Sequence, residues 1–332
     1  MFSIPSRRRF IGISAAAAGL SLLPLGKRAK AGGELVIWQG QAMGAVATLQ
    51  IHHHDRAAAQ RLIARALSEV RRLERVFSLY RDDSALSVLN REGFLLAPPP
   101  ELVTVLNDCR RYFELTRGRF DPSVQALWTL YRDHFSRTDA DPQGPPAQAL
   151  SAALARVGFD GVAFNKDRIA LLRSGMALTL NGIAQGFATD RIVNLLRSEG
   201  IASSLVDMGE SRALGKRPDG SAWQFGIADP DRPERIGATL EAIDQAVATS
   251  GAYGFRFDSP GRFNHLFDPR TGECAHLHRS VTVVMPTATA ADALSTAFSL
   301  MAPEDIALAL GQLGEGEVRS ITASGEHLAL RA

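Results

Sequence analysis

Two short runs in this 332-residue chain carry residue types that could do chemistry together. The first is Asn264-His265-Leu266-Phe267-Asp268-Pro269-Arg270-Thr271-Gly272, an imidazole three residues before a carboxylate, ending in a tight-turn sequence. The second, Ala290-Ala291-Asp292-Ala293-Leu294-Ser295-Thr296, is alanine-rich and reads as helix, so Asp292 and Thr296, four apart, share one face with Ser295 beside them. Hard oxygen donors on one face suit Mg²⁺, and an imidazole that titrates near neutral pH suits proton transfer. Each residue also has a structural reading. Asp292 is consistent with a helix cap, Thr296 with a bond back to a carbonyl of its own helix, and His265 with a strand histidine bonded to backbone. Asp268 before Pro269 reads as a turn-maker.

The elements that position these runs follow from periodicity. Glu34 to Gln39 and Ala45 to His53 read as strands around a Met43-Gly44 turn, the second alternating apolar Ala47, Leu49 and Ile51 with Thr48 and Gln50. His52-His53-His54 is read as a solvated strand end. Asp55 caps a helix to about Phe77, with Ala59, Leu62/Ile63, Ala66, Val70, Leu73 and Phe77 at 3.6-residue spacing. Pro100 starts another helix, with Leu102, Val105/Leu106, Cys109 and Phe113 on one face and Gly118 ending it. Residues 136–147 read as an exposed loop. Asn181-Gly182-Ile183-Ala184-Gln185-Gly186 opens a helix to about Ser198, and glycines at such a junction let backbone N–H groups approach a phosphate. Helix-on-strand packing accounts for those glycines as well. Strands are expected at 203–208, 223–228, 238–243 and 280–285, and a last helix and two strands close the chain. Strands following strands, with helices between groups, favour α+β over doubly wound α/β.

The N-terminus reads as a targeting segment. Ser6-Arg7-Arg8-Arg9-Phe10-Ile11 resembles the twin-arginine export motif, an apolar run follows to Leu25, and Ala29-Lys30-Ala31 fits a cleavage site. Removing residues 1–31 takes away six basic residues and no acid. The formal charge of +2 then becomes 31 basic against 35 acidic residues, or −4. The basic excess belongs to the signal, so nothing argues for nucleic acid. The apolar run is too short for stable membrane insertion, and the expected location is the periplasm. Cys109 and Cys274, the only cysteines, are read as unpaired thiols.

Taken in order, Met43-Gly44, Ser78–Asn90, Gly118–Val124, Asn181–Asp190, Ala248–Tyr253, His265–Gly272 and Asp292–Thr296 resemble the ApbE family, the FAD:protein FMN transferases. The resemblance covers nearly the whole mature chain, residues 32–332, as one flavin transferase domain. It implies an α+β fold of mainly antiparallel sheets packed with helices, two-lobed with the site between lobes. It also implies Mg²⁺-dependent transfer of the FMN half of FAD onto a Thr or Ser hydroxyl of a target flavoprotein, with release of AMP. The positions matching FAD contacts are Met43, Tyr80, Arg119, Phe120, Asp121, Thr179, Gln185 and the backbone around Leu266. The metal ligands implied are Asp292 and Thr296, with Ser295 and the Gly182 carbonyl, and His265 matches the candidate base. Thr179 stands where the family commonly has aspartate, Gln185 where lysine is common, and Gly209-Glu210-Ser211 where Gly-Gly-Asp is usual.

The twin-arginine signal resembles that of the NosX-type branch tied to nitrous-oxide respiration, which implies the flavin-binding domain of NosR as acceptor. Subunits of Na⁺-translocating quinone reductase (Nqr) or Rnf-type complexes are the alternative acceptors. Two other functions fit the same residues: an FAD pyrophosphatase releasing free FMN, and a non-catalytic flavin carrier or assembly factor.

Overall fold

A computed structural model describes residues 33–332; the export signal expected over residues 1–31 lies outside the described residues. In chain order the elements are β1 (Glu34–Ala42), β2 (Ala45–His53), α1 (Arg56–Phe77), α2 (Ala85–Glu92), β3 (Phe94–Leu96), α3 (Pro100–Leu115), α4 (Gln125–Phe135), α5 (Ala147–Leu154), β4 (Val162–Phe164), β5 (Arg168–Leu171), α6 (Ala184–Ser198), β6 (Ser204–Asp207) and β7 (Ser211–Leu214). Then follow β8 (Trp223–Asp229), β9 (Arg232–Ala242), β10 (Ala246–Ser250), β11 (His278–Met285), α7 (Ala288–Phe298), α8 (Pro303–Leu313), β12 (Glu317–Thr322) and β13 (His327–Arg331). The fold is α+β, and the strand pairs whose register is resolved are all antiparallel. The chain forms two compact units. One comprises the described residues up to Arg72 with Gln185–Thr249 and Thr282–Asp292; the other comprises Leu73–Ala184, Ser250–Val281 and Ala293–Ala332. No helix among the described residues is long and apolar enough to cross a membrane.

In the first unit, strand order runs β1-β2-β6-β7-β10-β11. The β1–β2 hairpin pairs Ala42 with Ala45, and both tip residues have positive φ, 51° at Met43 and 80° at Gly44. This turn matches the strands' right-handed twist but costs Met43 a strained backbone. Helix α1 starts on Asp55, whose Oδ1 accepts the Ala57 and Ala58 N–H groups at 2.8 and 3.1 Å. Its 3.6-residue stripe is buried as the spacing predicts. The β8–β9 ribbon is a separate two-stranded sheet. It buries Trp223, Phe225, Leu240 and Ala242 in one core with Leu205, Ala213 and Val247. His52 is not a solvated strand end: its ring lies 6.0 Å from that of Trp223, and burial lowers its pKa. Sequence periodicity misses β7, four residues long, and stops β9 short because its outer half, from Arg232, alternates no apolar residues.

One buried carboxylate ties this unit's helices to its sheet. Asp190, on α6, accepts from Arg212 on β7 at 2.5 Å, from the backbone N–H groups of Ala288 and Thr289 at 2.9 Å each, and from the Thr289 hydroxyl at 2.6 Å. The two backbone bonds satisfy donors at the N-terminus of α7 that have no partner within that helix, so Asp190 caps that helix from another.

In the second unit, α3 begins with Pro100 at its first turn and buries Leu102, Val105, Leu106, Cys109 and Tyr112. Phe113, expected on this face, is partly buried with its ring 5.9 Å from that of Phe159, and Tyr112 beside it is buried as well. Strands β3, β5 and β4 make a small sheet in that order. β3, only three residues long, is not anticipated from the sequence. Helices α4 and α5 pack an aromatic-rich core around Leu127, Tyr131 and Phe267. Cys109 is buried and Cys274 partly buried, and they are not joined in a disulfide.

Replacing Asp190 with Ala strands the Arg212 guanidinium and uncaps α7. The expected loss, read from urea unfolding, is about 3–5 kcal/mol. Asp190→Asn should recover part of it by keeping acceptors for the helix. A loss under about 1 kcal/mol would show that the carboxylate does not hold α7.

Candidate active site

In the first unit, the start of α6 meets α7 at a glycine. A Cβ on Gly186 would stand 2.2 Å from the Ala288 carbonyl oxygen and 2.9 Å from Asp292 Cβ, so only glycine fits. That approach lets the Gly186 N–H donate to Asp292 Oδ2 at 3.0 Å. The Asp292 carboxylate is therefore held by another helix and is not a cap of its own. Burial raises its pKa to about 7, opposed by the Gly186 bond, and the charge on Asp190 adds to the rise. Glu210 is also pushed well above the usual carboxylate range, by burial first and then by the charges of Asp292 and Asp207. The Glu210 carboxylate thus lies within reach of two other carboxylates, Asp292 and Asp207, in a poorly solvated place, an arrangement that a cation stabilises.

Beside this acidic group, Gln185 Nε2 donates to the Met43 carbonyl at 3.2 Å. A Cβ on Gly209, whose φ is 111°, would fall 2.5 Å from Gln185 Cδ. Gln185 therefore braces the strained hairpin tip at Met43 while Gly209 makes room for it. The Thr189 hydroxyl donates to the Glu210 carbonyl at 2.7 Å, fixing the turn between β6 and β7. The structure brings Met43, Gln185 and Asp292 to one end of this unit's helices and strands.

The second unit holds the remaining candidates in two neighbourhoods. In the first, Thr296 Oγ1 lies 2.9 Å from where a Gly182 Cβ would be. The Thr296 hydroxyl therefore faces the Gly182 backbone. Ser295 Oγ shares a 2.8 Å hydrogen bond with Ser250 Oγ. The segment leading to Gly182 is fixed by Asn90, whose side chain both donates to the Leu178 carbonyl (2.8 Å) and accepts its N–H (2.7 Å). Thr179 N–H donates to the Pro122 carbonyl at 2.7 Å, tying this segment to the Arg119–Val124 turn. Tyr80 is exposed, and its hydroxyl hydrogen-bonds the Asn181 side chain.

Several expected flavin-contacting side chains have internal work. Asp121 is buried and caps the short Pro122–Val124 turn. Its Oδ1 accepts the Ser123 N–H at 2.8 Å and the Ser123 hydroxyl at 2.6 Å, and its Oδ2 accepts the Phe159 N–H at 3.0 Å. Burial raises its pKa. Phe120 is buried edge-on to Tyr112. Arg119 pairs with Asp268, which also accepts the Arg270 N–H at 3.0 Å as a turn-maker. The Leu266 N–H donates to Asn264 Oδ1 at 3.0 Å and its carbonyl accepts from Ala275 N–H at 2.7 Å, so both backbone groups are already engaged within the protein.

In the second neighbourhood, His265 donates to the Phe255 carbonyl twice, from its backbone N–H and from Nδ1, each at 3.3 Å. A carbonyl only accepts, so the proton is assigned to Nδ1 and the Nε2 lone pair stays available. Burial lowers the His265 pKa to about 4 against the opposing pull of that carbonyl. The ring is therefore neutral at pH 7 and able to accept a proton at Nε2. The structure shows the backbone-bonded reading of His265, and that bond at Nδ1 leaves the Nε2 lone pair unengaged by the Phe255 carbonyl.

Glu210, Asn264 and the Phe255 carbonyl escape sequence reasoning, whereas Asp190, one turn into its helix, reads from the sequence as making a local bond or salt bridge, and in the structure it pairs with Arg212 and reaches as far as Ala288 and Thr289. Glu210 stands out only as the departure from Gly-Gly-Asp. The others act through contacts across long sequence separations.

A family model described as the ApbE family matches residues 43–318. An FAD:protein FMN transferase of Treponema pallidum is 35% identical over 245 residues, 68% of this chain and 67% of that protein. Among solved structures, the apo flavinyl transferase ApbE of Pseudomonas stutzeri superposes with a TM-score of 0.74 at 26% identity, covering 91% of this chain and 97% of that one. The ApbE protein of Thermotoga maritima gives 0.79 at 25% identity, over 90% and 97%.

With a folded pKa near 4 against about 6.5 when unfolded, His265 binds more proton in the unfolded chain between those values. Its contribution to stability is therefore fully present above pH 6.5 and is lost as pH falls toward 4. His265→Gln should flatten that part of the stability–pH curve, measured by urea unfolding. An unchanged slope in the variant would reject the partly buried, neutral imidazole.

Proposed function

The chain belongs to the ApbE family, and from that premise we infer that it is an FAD:protein FMN transferase, moving the FMN half of FAD onto a protein acceptor. In its finer form, this reading takes the acceptor as a Thr or Ser hydroxyl and the leaving group as AMP. A new P–O bond forms from the acceptor oxygen to the FMN phosphorus, the P–O bond of the pyrophosphate breaks toward AMP, and the hydroxyl proton needs a receiver.

The observation that carries the metal-dependent form is the buried Asp292, fixed by Gly186 and crowded by Glu210. Mg²⁺, when bound, would neutralise charge on the pyrophosphate oxygens and so stabilise the transition state. Asp292 and Thr296 would hold it, with Ser295 and the Gly182 carbonyl as further oxygen donors. On α7 Asp292 and Thr296 are one turn apart and project from one side. His265 would receive the acceptor proton at Nε2. Its low pKa makes it a modest base, sufficient for a hydroxyl whose proton departs as the new bond forms. Gln185 would keep the Met43 turn in place against FAD, a task its amide performs in the position where a family lysine is common. Tyr80 and the Arg119–Asp121 turn would wall the nucleotide, Asp121 by fixing the backbone rather than by direct contact.

The export motif supports a periplasmic enzyme acting in maturation of a respiratory complex. A NosR-like flavin domain would be its acceptor, with Nqr or Rnf subunits as the alternative.

The mature chain incubated with FAD, Mg²⁺ and such an acceptor domain should add one FMN to the acceptor, read by intact mass. Free FMN with an unmodified acceptor would instead mark a pyrophosphatase, and neither product a carrier. Asp292→Ala should reduce Mg²⁺-dependent turnover at least about a thousandfold, the scale of losing a principal charge stabiliser. Full turnover in that variant would remove Asp292 from the metal set.

A further inference from the structure

His265 sits at the base of a small hairpin, residues 255–265, and we propose that Trp128 on α4 is a positioning residue for His265, acting through the Phe255 carbonyl. This rests on His265 being the proton acceptor. The two arms pair as an antiparallel ribbon: Phe257 N–H donates to the Phe263 carbonyl at 2.8 Å, Arg256 bridges Asn264, and His265 N–H reaches the Phe255 carbonyl. Asp258 closes the tip by accepting the Phe263 N–H at 3.0 Å.

The arms are anchored differently. The His265 arm is held by hydrogen bonds: Asn264 Nδ2 donates to the Ala275 carbonyl at 3.0 Å, and the Cys274 thiol donates to the Asn264 carbonyl at 3.2 Å. The Phe255 arm is held by ring packing. The Phe255 ring lies 6.5 Å from Trp128 and 5.0 Å, edge-on, from Phe257. Phe257 in turn lies 6.1 Å from Trp128 and 5.9 Å from Tyr131. Trp128 is thus the indole against which both aromatic residues of this arm rest.

The consequence reaches the imidazole because both bonds to the Phe255 carbonyl are already 3.3 Å, just beyond the usual N–H···O range, and so have no length to spare. If the Phe255 arm retreats by a few tenths of an ångström, the carbonyl no longer selects the Nδ1–H tautomer. The imidazole then populates the other tautomer, in which Nε2 carries the proton and cannot accept one. Trp128 touches neither flavin nor acceptor in this account; it keeps the base in its competent form.

The decisive readout is the tautomer, followed by ¹⁵N NMR of histidine-labelled full chain with His265→Gln assigning the signal. The native chain should show Nδ1 protonated and Nε2 bare. Trp128→Ala should shift His265 toward the Nε2–H form and lower kcat for flavin transfer about ten- to a hundredfold, with KM for FAD within about twofold. Trp128→Phe should restore both. Phe255→Leu, which keeps the carbonyl but removes the ring that Trp128 supports, should reproduce the Ala effect and serves if Trp128→Ala does not fold. An unchanged His265 signal in either variant, or a raised KM with unchanged kcat, overturns the proposal. Full transfer by His265→Gln would overturn the base reading, while the ¹⁵N signal would still decide whether Trp128 holds the ring.

Discussion

The buried carboxylate of Asp190 is the constraint on which the first unit depends. It neutralises Arg212 and at the same time caps α7, so one side chain fixes sheet, α6 and α7 together. A buried ion pair repays its desolvation only when the remaining oxygen lone pairs are also satisfied. Here the helix N-terminus supplies those donors. The helix so placed is the one bearing Asp292, which explains how a second carboxylate can be held close to Asp190 against their mutual repulsion. The strain is concentrated where a cation would relieve it.

Glycine serves the same end. Gly186 and Gly209 are required by close approach, to Ala288 and Asp292 in one case and to Gln185 in the other. Gly182 makes room for Thr296. None of these glycines forms a phosphate-binding fingerprint in the sequence. Their common physical role is to let polar side chains reach backbone that a Cβ would shield. At the start of α6 the close approaches are to protein atoms, which is the packing account of those glycines.

His265, proposed above as the proton acceptor, depends on a different kind of support. His265 owes its tautomer to a carbonyl and its depressed pKa to burial, and the carbonyl's own arm is placed by aromatic rings. Dispersion and ring packing are non-directional compared with hydrogen bonds. The ring cluster around Tyr131 and Phe257 therefore supplies many partners to one short ribbon, each contributing modestly.

The sequence by itself determined the elements with strong periodicity and the residues with local signals. The stripe of α1, the cap at Asp55, Pro100 opening α3, the pairing of Asp292 with Thr296 on one helical face and the turn role of Asp268 were all readable, because each depends on neighbours within a turn or two. What only the tertiary structure decided depends on contacts between distant residues. β3 and β7 are too short to carry a period and exist because other strands pair with them. His52 changed from a solvated to a packed residue when Trp223 met it across 171 positions of sequence. Asp121 turned inward because Phe159 offered it an N–H. The bonds from Ala288 and Thr289 to Asp190, the charges around Glu210 and the hold of the Phe255 carbonyl on His265 entered the argument only when folding put these groups together. Burial and hydrogen-bond partners set charge and tautomer, and neither is written in the order of residues along the chain.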